Sequence, residues 1–175
     1  MNSHELHNKI GEHLKKVNFK NVKLLIDPAC GGSQNIPLFL NERKSRETKI
    51  CNVDFMILKN ERIKIIIEIE ESSKTPHQIL GKLMCSALAK FYIHKESNDK
   101  IIPMDDNVCF VQILDTRELK IRSKKIPQWI NIELAINEIL STFKTNIKTY
   151  KLFYGNMEDI NLNEISQFIK MNFDN

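Results

Sequence analysis

The segment Arg62-Ile63-Lys64-Ile65-Ile66-Ile67-Glu68-Ile69-Glu70 constrains this chain most, because five of its nine residues are isoleucine. β-Branched side chains favour strands. A second run of this kind, Ile50 to Leu58, precedes it, and only a few residues including Lys59-Asn60-Glu61 lie between. Two such runs around a short polar connection predict a β-hairpin.

Side chains alternate along a strand, so Glu68 and Glu70 share one face of the second run, while Ile63, Ile65, Ile67 and Ile69 share the other. The isoleucine face is expected to be buried and the glutamate face to lie opposite it. On the first run Asp54 shares a face with Asn52 and Met56, and Val53 and Phe55 point the other way, into the core. Asp54 falls on the Glu68 face if the loop has an odd number of residues. A three-residue loop starting at Asn60 sets Asp54 opposite Glu68, and one starting at Lys59 sets it opposite Ile66. Either way the Cβ atoms of Asp54 and Glu68 are about 4.5 to 8 Å apart.

Three carboxylates on one small patch repel one another unless some take up protons or a cation sits among them. A hard divalent ion with oxygen ligands resolves the conflict, and Mg²⁺ characteristically takes one or two carboxylates beside waters and phosphate oxygens. It could activate a water and stabilise charge on a phosphate. The other reading of the same pattern is an ordinary solvated strand face, on which a Glu-x-Glu pair is common. The hairpin alone leaves both open.

The remaining elements follow from apolar spacing. Ser3 to about Val17 reads as a helix, with Ser3 as N-cap and a stripe of Leu6, Ile10, Leu14 and Val17. Val22 to Ile26 reads as a strand closed by Asp27-Pro28, and Gly31 to Asn35 as a polar loop. Thr75-Pro76 opens a largely apolar helix running to about Lys95. Asn107 to Leu114 reads as a central strand, Pro127 to about Thr142 as a helix, Thr145 to Tyr154 as a strand and Leu162 to Met171 as a closing helix. The fold class is α/β, a mixed β-sheet flanked by helices, and no linker marks a domain boundary within residues 1–175.

Val53-Asp54 on the second strand and Glu68-Ile69-Glu70 on the third resemble the paired motif of the PD-(D/E)XK nuclease superfamily, which includes type II restriction endonucleases and archaeal Holliday-junction resolvases. The resemblance covers residues 3–114 and implies an αβββαβ restriction-endonuclease-like core. Residues 115–175 would then serve dimerisation or DNA reading. Glu70 stands where the family usually has Lys, as in some restriction enzymes of the superfamily.

The resemblance implies Mg²⁺ as cofactor, held by Asp54, Glu68 and the carbonyl of Ile69. Glu70 would be a second metal ligand or a general base, and Lys74 or Lys82 would replace the missing cation. Gly32, Ser33, Gln34 and Asn35 are similar to the glycine-serine loop of the resolvases and would approach a DNA phosphate. Arg43, Lys44, Arg46 and Lys49 lie between that loop and the catalytic strand, where a DNA backbone could pass. Family members often add a glutamate from the first helix, but Glu12 lies nearly opposite the apolar stripe and is read as solvated. His77 and His94 are given no role.

The implied activity is Mg²⁺-dependent cleavage of double-stranded DNA by a type II restriction-like endonuclease. It would act as a homodimer, since a chain of 175 residues offers one active site. A junction resolvase and a non-catalytic DNA-binding subunit of the same fold are the alternatives. A net charge of +4 permits a polyanionic partner without requiring one. The absence of a leader-like terminus and of an apolar run of about 20 residues predicts a cytoplasmic protein with no membrane contact. Four dispersed cysteines read as reduced, small apolar residues.

Overall fold

The computed structural model describes residues 4–19, 22–71 and 75–174. Helix α1 (Glu5–Lys16) leads to strand β1 (Val22–Ile26), followed by β2 (Ile36–Phe39), β3 (Lys49–Val53), β4 (Phe55–Lys59) and β5 (Arg62–Glu70). Helix α2 (Pro76–Leu88), β6 (Phe91–Tyr92), β7 (Ile102–Asp115), α3 (Lys125–Thr142), β8 (Ile147–Gly155) and α4 (Leu162–Asp174) complete the chain. The described residues therefore form a mixed α/β fold of eight strands and four α-helices.

The strand order is β1-β4-β5-β7-β6-β2-β3, with β8 pairing β7 on its other side. Strands β5, β7 and β8 are parallel neighbours, whereas β1, β4 and β5 pair antiparallel. The fourteen-residue β7 joins two parts of the sheet: its start pairs β6, and from Cys109 onward it lies between β5 and β8.

The sheet is covered on both sides. Leu6, Ile10 and Leu14 of α1 and Ile165 and Ile169 of α4 pack against Phe55, Ile57, Ile65 and Ile67. On the other side Ile79 and Leu83 of α2 and Trp129, Ile136 and Leu140 of α3 pack against Met56, Ile66, Phe110 and Tyr150. None of the described helices is long and apolar enough to cross a membrane.

Several sequence expectations are corrected. The run Ile50 to Leu58 is not one strand, because it breaks at Asp54. Val53 pairs with Ile36 of β2, whereas Phe55 pairs with Ile26 of β1 and Ile67 of β5. Val53 and Phe55 accordingly enter opposite cores rather than one. The Ile36–Phe39 and Phe91–Tyr92 strands were not expected. The second is made from residues assigned to α2, which stops at Leu88 instead of reaching Lys95.

The β4–β5 hairpin has a two-residue turn, Asn60-Glu61, rather than an odd loop. Both residues have positive φ, 49° and 60°, as a primed hairpin turn requires. Lys59 pairs Arg62 and Leu58 pairs Ile63, but Ile57 then pairs Ile65, so Lys64 forms a bulge. The odd residue lies in the bulge, and the register beyond it equals that of a three-residue loop starting at Asn60.

The bulge also reassigns faces. Ile63 joins Ile66 on the α2–α3 side, and only Ile65, Ile67 and Ile69 remain on the α1–α4 side. Glu68, expected on the side opposite the buried one, has no exposed surface, because α2 closes over it. Ser3, read as an N-cap, lies outside the described residues.

Candidate active site

Asp54 owes its position to the break between β3 and β4. β4 reaches only to Phe55, opposite Ile67, so the next residues of β5 have no strand partner on that side. The Asp54 carboxylate takes the strand's place, accepting a hydrogen bond from the Ile69 N–H at 2.7 Å. The Asp54 carbonyl accepts from the Asp27 N–H at 3.0 Å, which ties the bend to the loop after β1.

Glu68 and Glu70 lie beside Gln112 and Leu114 of β7 and face α2. That helix begins at Pro76, and the Thr75 N–H and hydroxyl both donate to Gln78 Oε1, fixing its first turn. Its second turn carries Lys82 over the sheet, with Nζ 3.0 Å from Glu68 Oε2 and 3.5 Å from Glu70 Oε1. Lys82 remains partly in solvent while Glu68 is fully buried. Glu68 Oε1 and Glu70 Oε1 are both buried and accept no hydrogen bond.

The electrostatics follow. Burial, reinforced by the Asp54 charge and only partly opposed by Lys82, holds the Glu68 carboxyl well above the usual carboxylate range. Burial also raises Glu70, less strongly, against Lys82. Burial would raise Asp54 too, but the adjacent His7 imidazolium and the hydrogen bond from the Ile69 N–H outweigh it and lower its pKa. Lys82 is raised, since Glu68 and Glu70 outweigh its own desolvation. Three carboxylates that share one lysine, with Glu68 Oε1 buried and without a donor, form a hard, oxygen-rich set. Such a donor set fits a divalent cation such as Mg²⁺.

His7 of α1 was not singled out from the sequence, yet it adjoins this group. Its Nδ1 lies 2.7 Å from Glu71 Oε1, its backbone N–H donates to the same oxygen at 3.0 Å, and its Nε2 is 3.6 Å from Asp54 Oδ2. Burial opposes its charge, but Asp54 and Glu71 prevail and raise its pKa to about 9. Arg117 completes the chain of pairs, reaching Glu71 at 2.9 Å, Asp115 at 2.7 Å and Glu5 at 2.9 Å. It thus fastens the start of α1 to the ends of β5 and β7. The available signal was that His7 precedes Ile10 by three residues and Leu14 by seven, which places a titratable ring on the buried stripe.

His4, His7 and Glu71 also bring possible ligand atoms within 4.8 Å of one another. Both His7 nitrogens and Glu71 are already engaged in the pairs just described.

The expected DNA contacts divide into two groups. Gly32 to Asn35 lie next to the site, because Ile36 pairs Val53 and the Asp27 N–H binds the Asp54 carbonyl. A Cβ on Gly32 would stand 1.8 Å from the Ile26 carbonyl oxygen, so only glycine fits this tight return. Ser33 and Asn35 are exposed, but Gln34 turns inward and donates to the Tyr92 hydroxyl at 3.0 Å.

Arg43, Lys44 and Arg46 occupy the β2–β3 connection, at the end of β3 away from Asp54. Five strand residues separate the two ends by about 16 Å. Arg43 pairs with Glu47 at 3.8 Å and Lys44 with Asp99 at 2.5 Å, so these cations do not converge on the carboxylates. Lys74 lies outside the described residues. Glu12 is exposed and pairs with Lys15 at 2.9 Å. Comparison with family models, with curated proteins and with solved structures gives no match, so this geometry and the sequence are what bear on function.

Proposed function

We propose that this protein is a Mg²⁺-dependent endonuclease that hydrolyses phosphodiester bonds of double-stranded DNA, with a type II restriction-endonuclease-like αβββαβ core. The observation that carries the reading is the buried, donorless Glu68 Oε1 between Asp54 and Lys82. A buried carboxylate so placed has one cation, Lys82, shared with Glu70, and one oxygen that its own chain leaves without a donor.

Asp54, Glu68 and the Ile69 carbonyl would hold Mg²⁺, which supplies Lewis acidity to a phosphate and its attacking water. The protein's own groups supply the rest. Lys82 brings from α2 the ammonium that resembled nucleases carry on the third strand, and it can steady charge on the phosphate. Glu70 has its pKa raised toward neutrality, which suits a group that accepts a proton from water. His7 and the Ile69 N–H hold Asp54 ionised and in place.

The test incubates the protein with linear phage DNA and with a four-way junction, in Mg²⁺ and in chelator. Discrete linear fragments formed only with Mg²⁺, and reduced at least about a hundredfold in Asp54→Ala and Glu68→Ala, are expected. Cleavage of the junction alone would make the protein a resolvase. No cleavage by folded, DNA-binding protein would remove the enzymatic reading.

A further inference from the structure

We infer that Gln112 is a positioning residue of the carboxylate site: its amide, oriented by Tyr150, donates to Glu68 Oε1 and fixes how that carboxyl faces the ion. The role in ion binding rests on the nuclease reading, whereas the contact between Gln112 and Glu68 does not.

Val108 to Leu114 is the middle of the sheet's central strand and is apolar apart from Gln112, which has no exposed surface. A buried amide loses its hydration, and the loss is offset only where its hydrogen bonds are remade. One is remade on the β8 side, where the Tyr150 hydroxyl donates to Gln112 Oε1 at 2.8 Å. Tyr150 is itself buried and its ring stacks on Phe110, with 6.0 Å between centroids, so the hydroxyl is held in place. The amide is planar, and fixing Oε1 also fixes the direction of Nε2. Nε2 is buried and meets no acceptor among the described residues.

Glu68 is the neighbour that matches it. The register of the parallel strands β5 and β7 sets Glu68 directly beside Gln112, about 4.8 Å away along the sheet. Glu68 lies two residues from Ile66, and Gln112 two from Phe110 and Leu114, all on the side that packs against α2 and α3. Lys82 occupies Glu68 Oε2 at 3.0 Å, and Oε1 is left without a donor. A donor lacking an acceptor and an acceptor lacking a donor therefore stand side by side, both sealed from solvent. A small rotation of the Glu68 carboxyl closes the pair. Glu70 is the weaker candidate, since it stands beside Leu114 and its Oε1 already faces Lys82 at 3.5 Å.

Lys82 and Gln112 would then hold opposite oxygens of Glu68, and each oxygen keeps a lone pair for an ion. Carboxylates that bind metals are commonly held by such partners, whose loss costs about 10- to 100-fold in affinity.

Two measurements test the inference. Mn²⁺ titration without DNA, followed by the paramagnetic resonance of the free ion, should show about 10- to 100-fold weaker binding in Gln112→Met than in wild type. Tyr150→Phe should weaken binding less, and should add nothing in the Gln112→Met background. Methionine fills nearly the same space, so Gln112→Met should keep the wild-type circular dichroism spectrum. If it does not fold, the second measurement, made with Gln112 intact, still decides. Hydrogen exchange of the Gln112 side-chain amide, read by NMR in metal-free protein, should be about tenfold faster in Glu68→Met, which keeps the volume and removes the acceptor. Glu70→Met should leave it unchanged. Equal exchange in wild type and Glu68→Met overturns the inference, and so does wild-type Mn²⁺ affinity in folded Gln112→Met. A wild type that shows the exchange difference but neither binds Mn²⁺ nor cuts DNA removes the nuclease reading and leaves the contact in place.

Discussion

Around Glu68, β5 has two buried sides that are chemically opposite. Toward α1 and α4, Ile65, Ile67 and Ile69 join an apolar cluster with Leu6, Ile10 and Ile169. Toward α2, Glu68 is just as inaccessible, yet its charge is balanced by one lysine and one of its oxygens has no donor. Burial stabilises the first side and works against the second, since a buried carboxylate loses hydration that a single partner does not restore. A fold that keeps such a side spends stability on it, and that is the pattern of a functional site rather than a core.

Ile67→Ala tests the contrast most directly and should cost about 2 to 5 kcal/mol in urea unfolding, because no space opens elsewhere for the core to relax. Glu68→Gln, of nearly the same shape, should leave stability unchanged or raise it. A loss matching that of Ile67→Ala would make Glu68 a structural residue and erase the distinction.

Lys82→Met comes next in size. Removing the ammonium leaves Glu68 and Glu70 without a cation, and since Lys82 is partly solvated the cost should be about 1 to 3 kcal/mol. The combined Lys82→Met/Glu68→Gln variant should recover most of it, and that non-additivity measures the pair. If the effects of the two single substitutions simply add, the 3.0 Å contact contributes nothing to stability.

The difference between these two sides was only half legible in the sequence. The isoleucine alternation located the hairpin and brought Asp54, Glu68 and Glu70 together, but it implied an open glutamate side. Alternation reports which residues share a face, not how many faces are covered, and α2 covers the second one through contacts remote in sequence. The break at Asp54 was hidden for a related reason. Val53 and Phe55 are both good strand residues, and nothing local says that they pair with different strands. Phe91 and Tyr92 were assigned to a helix because two residues carry no period; β2 draws them into the sheet. Thr75-Pro76 was readable because a helix start is a local matter. His7 lies one position from Leu6, but a single histidine forms no motif, so the sequence does not mark it as part of the site.

His7 offers the next test, since it joins the charged side of β5 to α1. Its folded pKa of about 9 lies above the unfolded value of 6.5. Between these values the folded state holds a proton that the unfolded state has released. Its contribution is therefore complete below pH 6.5 and is lost as pH rises through 9. The loss should be on the order of 3 kcal/mol in metal-free buffer. Subtracting the profile of His7→Asn removes the contributions of groups that titrate independently of His7. A difference that is flat across this window would mean that His7 is neutral and that Asp54 is held by the Ile69 N–H alone.

The smallest effect concerns what assigns residues to the two sides in the first place. A two-residue turn followed by a bulge at Lys64 and a three-residue loop without a bulge give the same register at Asp54 and Glu68. They differ only in which side Ile63 takes. Glu61 sits at φ 60°, where glycine is at ease, so Glu61→Gly creates the Asn-Gly pair that favours a primed two-residue turn. Relief of the left-handed backbone is offset by the greater freedom of unfolded glycine and by loss of the exposed pair with Lys100, leaving a gain of about 0.5 kcal/mol or less. A clear loss of stability would mean that the loop holds three residues and that Ile63 belongs with Ile65, Ile67 and Ile69. The bulge, rather than the turn, is expected to set the two sides, because it alone moves Ile63 across the sheet while leaving Glu68 beneath Lys82.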